Sequence, residues 1–318
     1  MRKILKRHKP ELIFVLLLAL IMTSSGCAGR NDLPAEDGEG IEIIDMIGQK
    51  VVLEKPADRI VSLTPADCEI LYALNAGDTL VGRGEYCDYP EEILSLKAVQ
   101  SGNDTNVEQI IALQPQLVIM SNMGQPEQQI DAMKKAGIQV LVTDAQKIED
   151  IYIAVEIIGK ATGRDDEAKE LIAELKNTFD QIKPVKSSEK VKTVYFEVSP
   201  LEYGLWAAGS GTFMDEIAKI IGLENAFSDV EGWGQISQEQ VLERNPDFIV
   251  AVPMSYGPEP GQKAEIMNRK GWQNLKAVKN NGIYVADSDE ITRPGPRIAK
   301  AALEFYSFVY DGNQNDEI

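Results

Sequence analysis

The sequence predicts an α/β protein of two doubly wound lobes, and three observations carry that prediction. A segment is duplicated, apolar strands alternate with amphipathic helices, and a long helical stretch separates two such series. The duplicated segment runs Glu108-Gln109-Ile110-Ile111-Ala112-Leu113-Gln114-Pro115-Gln116-Leu117-Val118-Ile119 in its first copy. The second copy is Glu239-Gln240-Val241-Leu242-Glu243-Arg244-Asn245-Pro246-Asp247-Phe248-Ile249-Val250. Each opens two residues after a good helix cap, Asn106 or Ser237, and reads as a short helix. Each then stops at a proline and enters an apolar strand. Their separation is too long for a solenoid repeat, so one unit falls in each half of the chain. An equivalent glutamate, Glu108 or Glu239, therefore belongs to each lobe.

At 318 residues the chain has room for about two domains. It begins with Arg2, Lys3, Lys6, Arg7 and Lys9, followed by an apolar run from Leu12 to Met22 and then Ser24-Ser25-Gly26-Cys27. That is the layout of a secretory signal peptide over residues 1–26, too short in its apolar part to span a membrane. The small residues before Cys27 resemble a bacterial lipobox, although Ser24 stands where Leu is usual. Lipidation of Cys27 would anchor the protein outside the cytoplasmic membrane; ordinary signal cleavage would release it. Residues 27–40 are small, polar and acidic, and read as a disordered tether. The formal charge is −18 with the basic leader included, so the remainder is more acidic still. That balance excludes nucleic acid as a partner, and the only expected membrane contact is the lipid anchor.

The elements follow in order. Residues 41–53 form a hairpin turning at Gly48-Gln49. A strand at 59–63 leads through Thr64-Pro65 into a helix at 68–74, for which Asp67 is the expected cap. A strand at 80–82 precedes a loop at 83–90, and the first repeat copy supplies a helix and a strand. A helix at 126–136, a strand at 138–142 and an amphipathic helix at 147–161 complete the first lobe, 41–163. A helix from 165 to about 182, roughly 27 Å long, follows within 164–184. The second lobe, 185–312, has a strand at 192–198, a helix at 213–221, the second repeat copy, a strand at 283–286 and a final helix at 298–310. Residues 313–318 are a polar tail.

The only histidine, His8, lies in the leader, so Ser-His-Asp chemistry, Cys-His chemistry and histidine metal ligation are not expected. No cofactor motif is present: Gly209-Ser210-Gly211 lacks the third glycine of a dinucleotide loop and reads as a helix-entry loop. No metal site is expected either. After the leader, two cysteines remain beyond Cys27. Cys68 and Cys87 form either a disulfide outside the cell or two buried thiols. Ligands of open α/β sheets lie beyond the C-terminal strand ends. There the sequence places Thr64, Tyr86, Trp206, Trp233, Tyr256, Arg293 and Arg297. Flat aromatic side chains and guanidinium groups suit a bulky ligand with an apolar body and anionic or carbonyl edges.

Several stretches together resemble the periplasmic-binding proteins of bacterial ABC importers, in the iron-siderophore and cobalamin branch. They are Arg59-Ile60-Val61-Ser62-Leu63-Thr64-Pro65 with the Glu69 helix, Tyr86-Cys87-Asp88-Tyr89-Pro90, the two repeat copies, the Trp233-Gly234-Gln235-Ile236-Ser237 lead-in, and Arg293-Pro294-Gly295-Pro296-Arg297-Ile298. The resemblance implies two lobes joined by a single long helix, here 165–183, with the ligand cleft between them. It implies that Glu108 and Glu239 dock onto two permease subunits. It also implies that Tyr86 and Trp233 line the cleft, as in the cobalamin-binding relative. The expected protein is a monomeric, lipid-anchored receptor, not an enzyme, that delivers a bulky metal chelate. A ferric siderophore is favoured because Arg293 and Arg297 suit its anionic oxygens, with cobalamin and haem as alternatives. The rival from another class is an extracellular enzyme that modifies such a chelate.

Overall fold

The structure is a computed structural model describing residues 40–102, 104–122, 127–183, 191–253 and 261–312. The signal peptide, the Cys27 lipidation site with nearly all of its tether, Tyr256 and the tail 313–318 lie outside the described residues.

An antiparallel hairpin of β1 (Ile41–Ile44) and β2 (Lys50–Leu53) opens the fold. The first large sheet has β3 (Ile60–Ser62), β4 (Leu80–Gly84), β5 (Ala98–Val99), β6 (Leu117–Ser121) and β7 (Gln139–Thr143) in the order β5-β4-β3-β6-β7. All its pairings are parallel. The chain starts in the middle, winds to one edge, then crosses to the other, so the sheet reverses direction between β3 and β6. Ligands of doubly wound sheets lie beyond the strand ends at such a reversal. Its helices are α1 (Pro65–Ala73), α2 (Val107–Ala112) and α3 (Glu127–Lys135).

Helix α1 starts earlier than expected. Thr64 occupies its cap position and Pro65 its first turn, where a missing N–H costs nothing. Asp67 is not the cap; it lies inside the helix and is buried.

The second sheet contains β8 (Thr193–Ser199), β9 (Trp206–Ala208), β10 (Glu224–Asn225), β11 (Trp233–Gln235), β12 (Phe248–Ala251) and β13 (Ile283–Val285). Strands β8, β12 and β13 are parallel neighbours. β10 pairs with the first half of β8, while β9 runs antiparallel beside its second half. β11 then pairs antiparallel with β9. This edge departs from a purely parallel sheet because only residues 200–205 separate β8 from β9. A parallel crossover needs a dozen or more residues. The helices here are α6 (Phe213–Ile221), α7 (Gln238–Arg244), α8 (Gly261–Asn268), α9 (Lys276–Lys279), α10 (Ser288–Thr292) and α11 (Ile298–Tyr310).

Two helices, rather than one, tie the lobes together. These are α4 (Ile148–Thr162) and α5 (Asp165–Phe179). Ile148 and Ile151 of α4 belong to the core of the second lobe, while Ala154, Val155, Ile158 and Ala161 belong to that of the first. α5 returns the other way: Ala168 packs in the first core, Leu175 and Phe179 in the second. The reversal is made by Gly163, which caps α4 in the left-handed region at φ 68°. α5 ends at Phe179, short of the expected 182. Gln181 N–H donates to Thr178 O and Ile182 N–H to Phe179 O, tight turns that leave the helix just before Pro184.

Candidate functional site

Side chains that follow strands of the two sheets meet between the lobes. Arg293, beyond β13, reaches Glu69 of α1 and Asp88 of the loop after β4. Of the side chains predicted for a ligand, Arg293 and Arg297 therefore lie at this junction.

Thr64 sits where the first sheet reverses. Its Oγ1 accepts a hydrogen bond from the Ser121 amide of β6 at 2.8 Å, so the hydroxyl bridges the two central strand ends. Tyr86, on the loop after β4, is 60% exposed. No described ring contact ties it to another aromatic.

Trp206 and Trp233 do not stand on loops. They lie on β9 and β11, where Trp206 pairs with Gln235 and Trp233 with Ala208. Directly opposed residues share a face, and so do residues two apart on a strand, so both indoles occupy one face of the ribbon. They are 39% and 38% exposed, which leaves much of that face open. Phe213, at the start of α6, supports Trp233 with ring centroids 5.5 Å apart. The ribbon needs Gly209 behind it, because a Cβ there would meet Val230 O at 2.0 Å. Short strands paired through non-local hydrogen bonds gave no periodic signal in the sequence.

Arg293 and Arg297, expected at the ligand, are both engaged by carboxylates. Arg297 donates from Nε to Glu69 Oε2 at 2.8 Å and from Nη2 to Glu69 Oε1 at 2.7 Å, a bidentate pair. Arg293 Nη1 donates to Glu69 Oε1 at 3.1 Å and to Asp88 Oδ1 at 2.8 Å, and its Nη2 lies 2.9 Å from Asp289 Oδ1. Glu290 lies 3.6 Å from Arg297 and accepts from Lys300 at 2.8 Å. The Tyr89 ring covers the Arg297 guanidinium at 4.1 Å. Three cations thus face four carboxylates, and each arginine has a carboxylate partner. Burial works against the charge on Arg297, but the Glu69 hydrogen bonds outweigh it and hold the guanidinium above its ordinary range. Burial likewise opposes the Arg293 charge, and Asp88 and Glu69 overcome it. The reading from sequence missed Glu69 and Asp88 as partners. The available signal was a glutamate in the otherwise apolar run Cys68–Leu74, which needs a cation once buried.

The two repeat helices are near-copies in three dimensions. Asn106 caps α2 by accepting from Gln109 N–H, and Ser237 caps α7 by accepting from Gln240 N–H. Glu108 and Glu239 take the same first-turn position, and both are exposed. Hydrogen bonds from its own backbone and from Ser237 lower the Glu239 carboxyl. Each helix is anchored by one fully buried residue, Ile110 or Val241, and exposes the next, Ile111 or Leu242. Each is followed by a residue with positive φ before its proline, Gln114 at 49° and Asn245 at 46°.

A separate hollow of about 630 Å³ in the second lobe is lined in part by Leu201, Gln238, Asn268 and Lys270, and by none of the predicted ligand residues that are described. Among the described residues, no cluster of His, Cys, Asp and Glu could hold a metal ion, and no helix is long and apolar enough to cross a membrane.

Comparison with known proteins agrees with this architecture. Residues 60–290 match the periplasmic binding protein family. The chain is 36% identical to the ABC transporter substrate-binding lipoprotein YvrC of Bacillus subtilis (strain 168), an uncharacterized protein, over 93% of this chain and 95% of that one. It is 31% identical to the vitamin B12-binding protein of Salmonella paratyphi A, over 78% and 88% of the two chains. Among solved structures, a possible iron-binding, periplasmic solute-binding protein of Staphylococcus epidermidis superposes with a TM-score of 0.67 at 31% identity. That match covers 80% of this chain and all of the other.

Proposed function

The chain belongs to the periplasmic binding protein family, and on that premise we propose that it is a lipid-anchored receptor delivering a bulky, non-anionic metal chelate to an ABC permease. The family is one of substrate-binding proteins rather than enzymes. The observation that carries the delivery role is the duplicated helix. Glu108 and Glu239 occupy the same exposed first-turn position of two equally capped helices, one on each lobe. Among the described residues neither carboxylate forms an ion pair, which suits an external, cationic partner such as a pair of arginine-bearing permease subunits. The lipid anchor at Cys27 rests on the leader sequence and on the likeness to a lipoprotein.

The ligand class follows from charge. The expected preference for a ferric siderophore rested on Arg293 and Arg297, whose charges Glu69, Asp88, Asp289 and Glu290 balance. A polyanionic chelate would gain little there and would meet the field of an acidic protein. Trp206 and Trp233 offer instead a flat aromatic face for an amide-rimmed or neutral chelate. A corrinoid has that chemistry, and the vitamin B12-binding relative supports the choice. Titration of tryptophan fluorescence with cobalamin, haem and an anionic catecholate siderophore tests it. Quenching is expected with cobalamin and lost in Trp233→Leu; quenching by the anionic chelates alone would refute the ligand class. Glu108→Arg with Glu239→Arg tests delivery separately: binding should survive while uptake is lost, and undiminished uptake would refute docking.

A further inference from the structure

Cys68 and Cys87 play no part in the proposed binding site, yet their placement is specific. Cys68 lies in α1 and Cys87 in the turn after β4, where its N–H donates to Gly84 O. Both side chains are fully buried. Both thiols point at the same acceptor: Cys68 Sγ lies 3.7 Å and Cys87 Sγ 3.9 Å from Ser62 O. Each is followed directly by an acid of the interlobe ion cluster. Glu69 follows Cys68, Asp88 follows Cys87, and both acids accept from Arg293 Nη1.

We propose that Cys68 and Cys87 form a disulfide as the exported chain folds, and that this staple fixes the spacing of the Glu69 and Asp88 carboxylates that hold Arg293. The proposal rests on the extracytoplasmic location, where oxidants maintain disulfides. The reaction is thiol–disulfide exchange with a low-molecular-weight disulfide such as oxidised glutathione. One cysteine thiolate attacks that disulfide and expels one glutathione thiolate; the second cysteine, after losing its proton, attacks the mixed disulfide and expels the other. Two S–H bonds are exchanged for one S–S bond, and the two electrons reduce the oxidant to two thiols.

Timing follows from burial. Burial first, and then the neighbouring Cys87 thiol, push the Cys68 thiol well above its usual range. Little thiolate is therefore present in the folded protein, and no path leads an oxidant to fully buried sulfur. Oxidation belongs to the folding chain, before α1 closes over the turn. Once made, the bond is shielded from reductants for the same reason.

The test uses the purified, processed protein, reduced and unfolded, then refolded in a glutathione redox buffer. It is next denatured in excess N-ethylmaleimide and mapped by mass spectrometry. A peptide pair linking Cys68 to Cys87, unlabelled until reduction, is expected. The oxidised form should melt about 5 °C above the reduced form, because the link constrains the unfolded chain. Cys68→Ser should abolish that difference while leaving the refolded protein's tryptophan quenching by cobalamin in place. Full labelling of both cysteines after refolding would overturn the pairing. Material exported by cells and purified without reductant provides the second arm: the linked pair there supports the proposal. Full labelling there, with linkage in the redox buffer, would overturn the location on which it rests.

Discussion

Replacing Glu69 by Gln tests the charge arrangement between the lobes most directly. Glu69 is almost fully buried and accepts three hydrogen bonds, two from Arg297 and one from Arg293. The amide keeps the shape but removes the charge and turns an N–H donor toward a guanidinium. Arg293 retains Asp88 and Asp289, whereas among the described carboxylates Arg297 keeps the 3.6 Å approach of Glu290, beneath the Tyr89 ring. Breaking a buried ion pair from one side costs about 3–5 kcal/mol, because the remaining charge is left uncompensated. For a protein of this size the melting temperature should fall by about 10 °C. Arg297→Met in the same background should recover part of that loss, and a double-mutant cycle should give a coupling of about 2 kcal/mol. A second readout concerns the ligand. The released guanidinium would become available to anions, so Glu69→Gln should gain affinity for an anionic chelate that the natural protein ignores. A melting temperature within about 2 °C of the natural protein, with no gain for the anionic chelate, would refute the clamp.

Three further outcomes are expected. Burial pushes the Asp67 carboxyl up to about 7, with hydrogen bonds to Thr143 and Thr64 pulling the other way. The folded chain thus keeps a proton that the unfolded chain loses above about pH 4, so this group's contribution to stability is full below pH 4 and falls by about 4 kcal/mol as pH rises to 7. Asp67→Asn should remove that fall, as read from urea midpoints at acidic and neutral pH. Ile111→Ser with Leu242→Ser, at the exposed apolar positions beside the two glutamates, should reduce uptake several-fold and leave the ligand dissociation constant unchanged in equilibrium titration. Gly209→Ala should cost about 1–3 kcal/mol in chemical denaturation by driving a methyl group into Val230 O, and should weaken ligand quenching with it.

The features legible in the sequence are those set by neighbours along the chain. Helix α6 spans Phe213–Ile221 as expected because Thr212 caps it and Gly222 closes it in the left-handed region. Helix α11 spans Ile298–Tyr310, and both repeat helices carry the caps that Asn106 and Ser237 announced. Contacts between distant residues were not legible. β9 and β11 have three residues each, too few to show a period, and they exist because Trp206 and Gln235 meet across the sheet edge. Glu69 and Arg293 are 224 positions apart, so no spacing rule joins them. The arginines were read correctly as standing at the lobe junction. Their carboxylate partners were not legible, because a guanidinium looks the same from sequence whether a ligand or a glutamate will satisfy it.

The helix pair and the ion cluster together constrain how the lobes can move. Opening the junction as a free hinge would require α4 to bend between Ile151, which packs in the second core, and Ala154, which packs in the first. α5 would have to bend as well, between Ala168 and Leu175. Neither stretch contains the proline that usually lets a helix kink, and each bend would break backbone hydrogen bonds inside a continuous helix. Across the junction, moving the lobes apart would also separate Glu69 and Asp88 from both arginines, at the cost of the charge-assisted bonds made there. Covalent continuity and electrostatics therefore act against the same motion. Ligand entry is accommodated more cheaply by rotation of exposed side chains at the rim, Tyr86, Trp206 and Trp233, than by swinging one lobe from the other. On this argument small-angle scattering of the ligand-free and cobalamin-loaded protein should give the same radius of gyration to within about 1 Å, whereas Glu69→Gln should widen the ligand-free form. A clear contraction of the natural protein on loading would show that the two helices do bend.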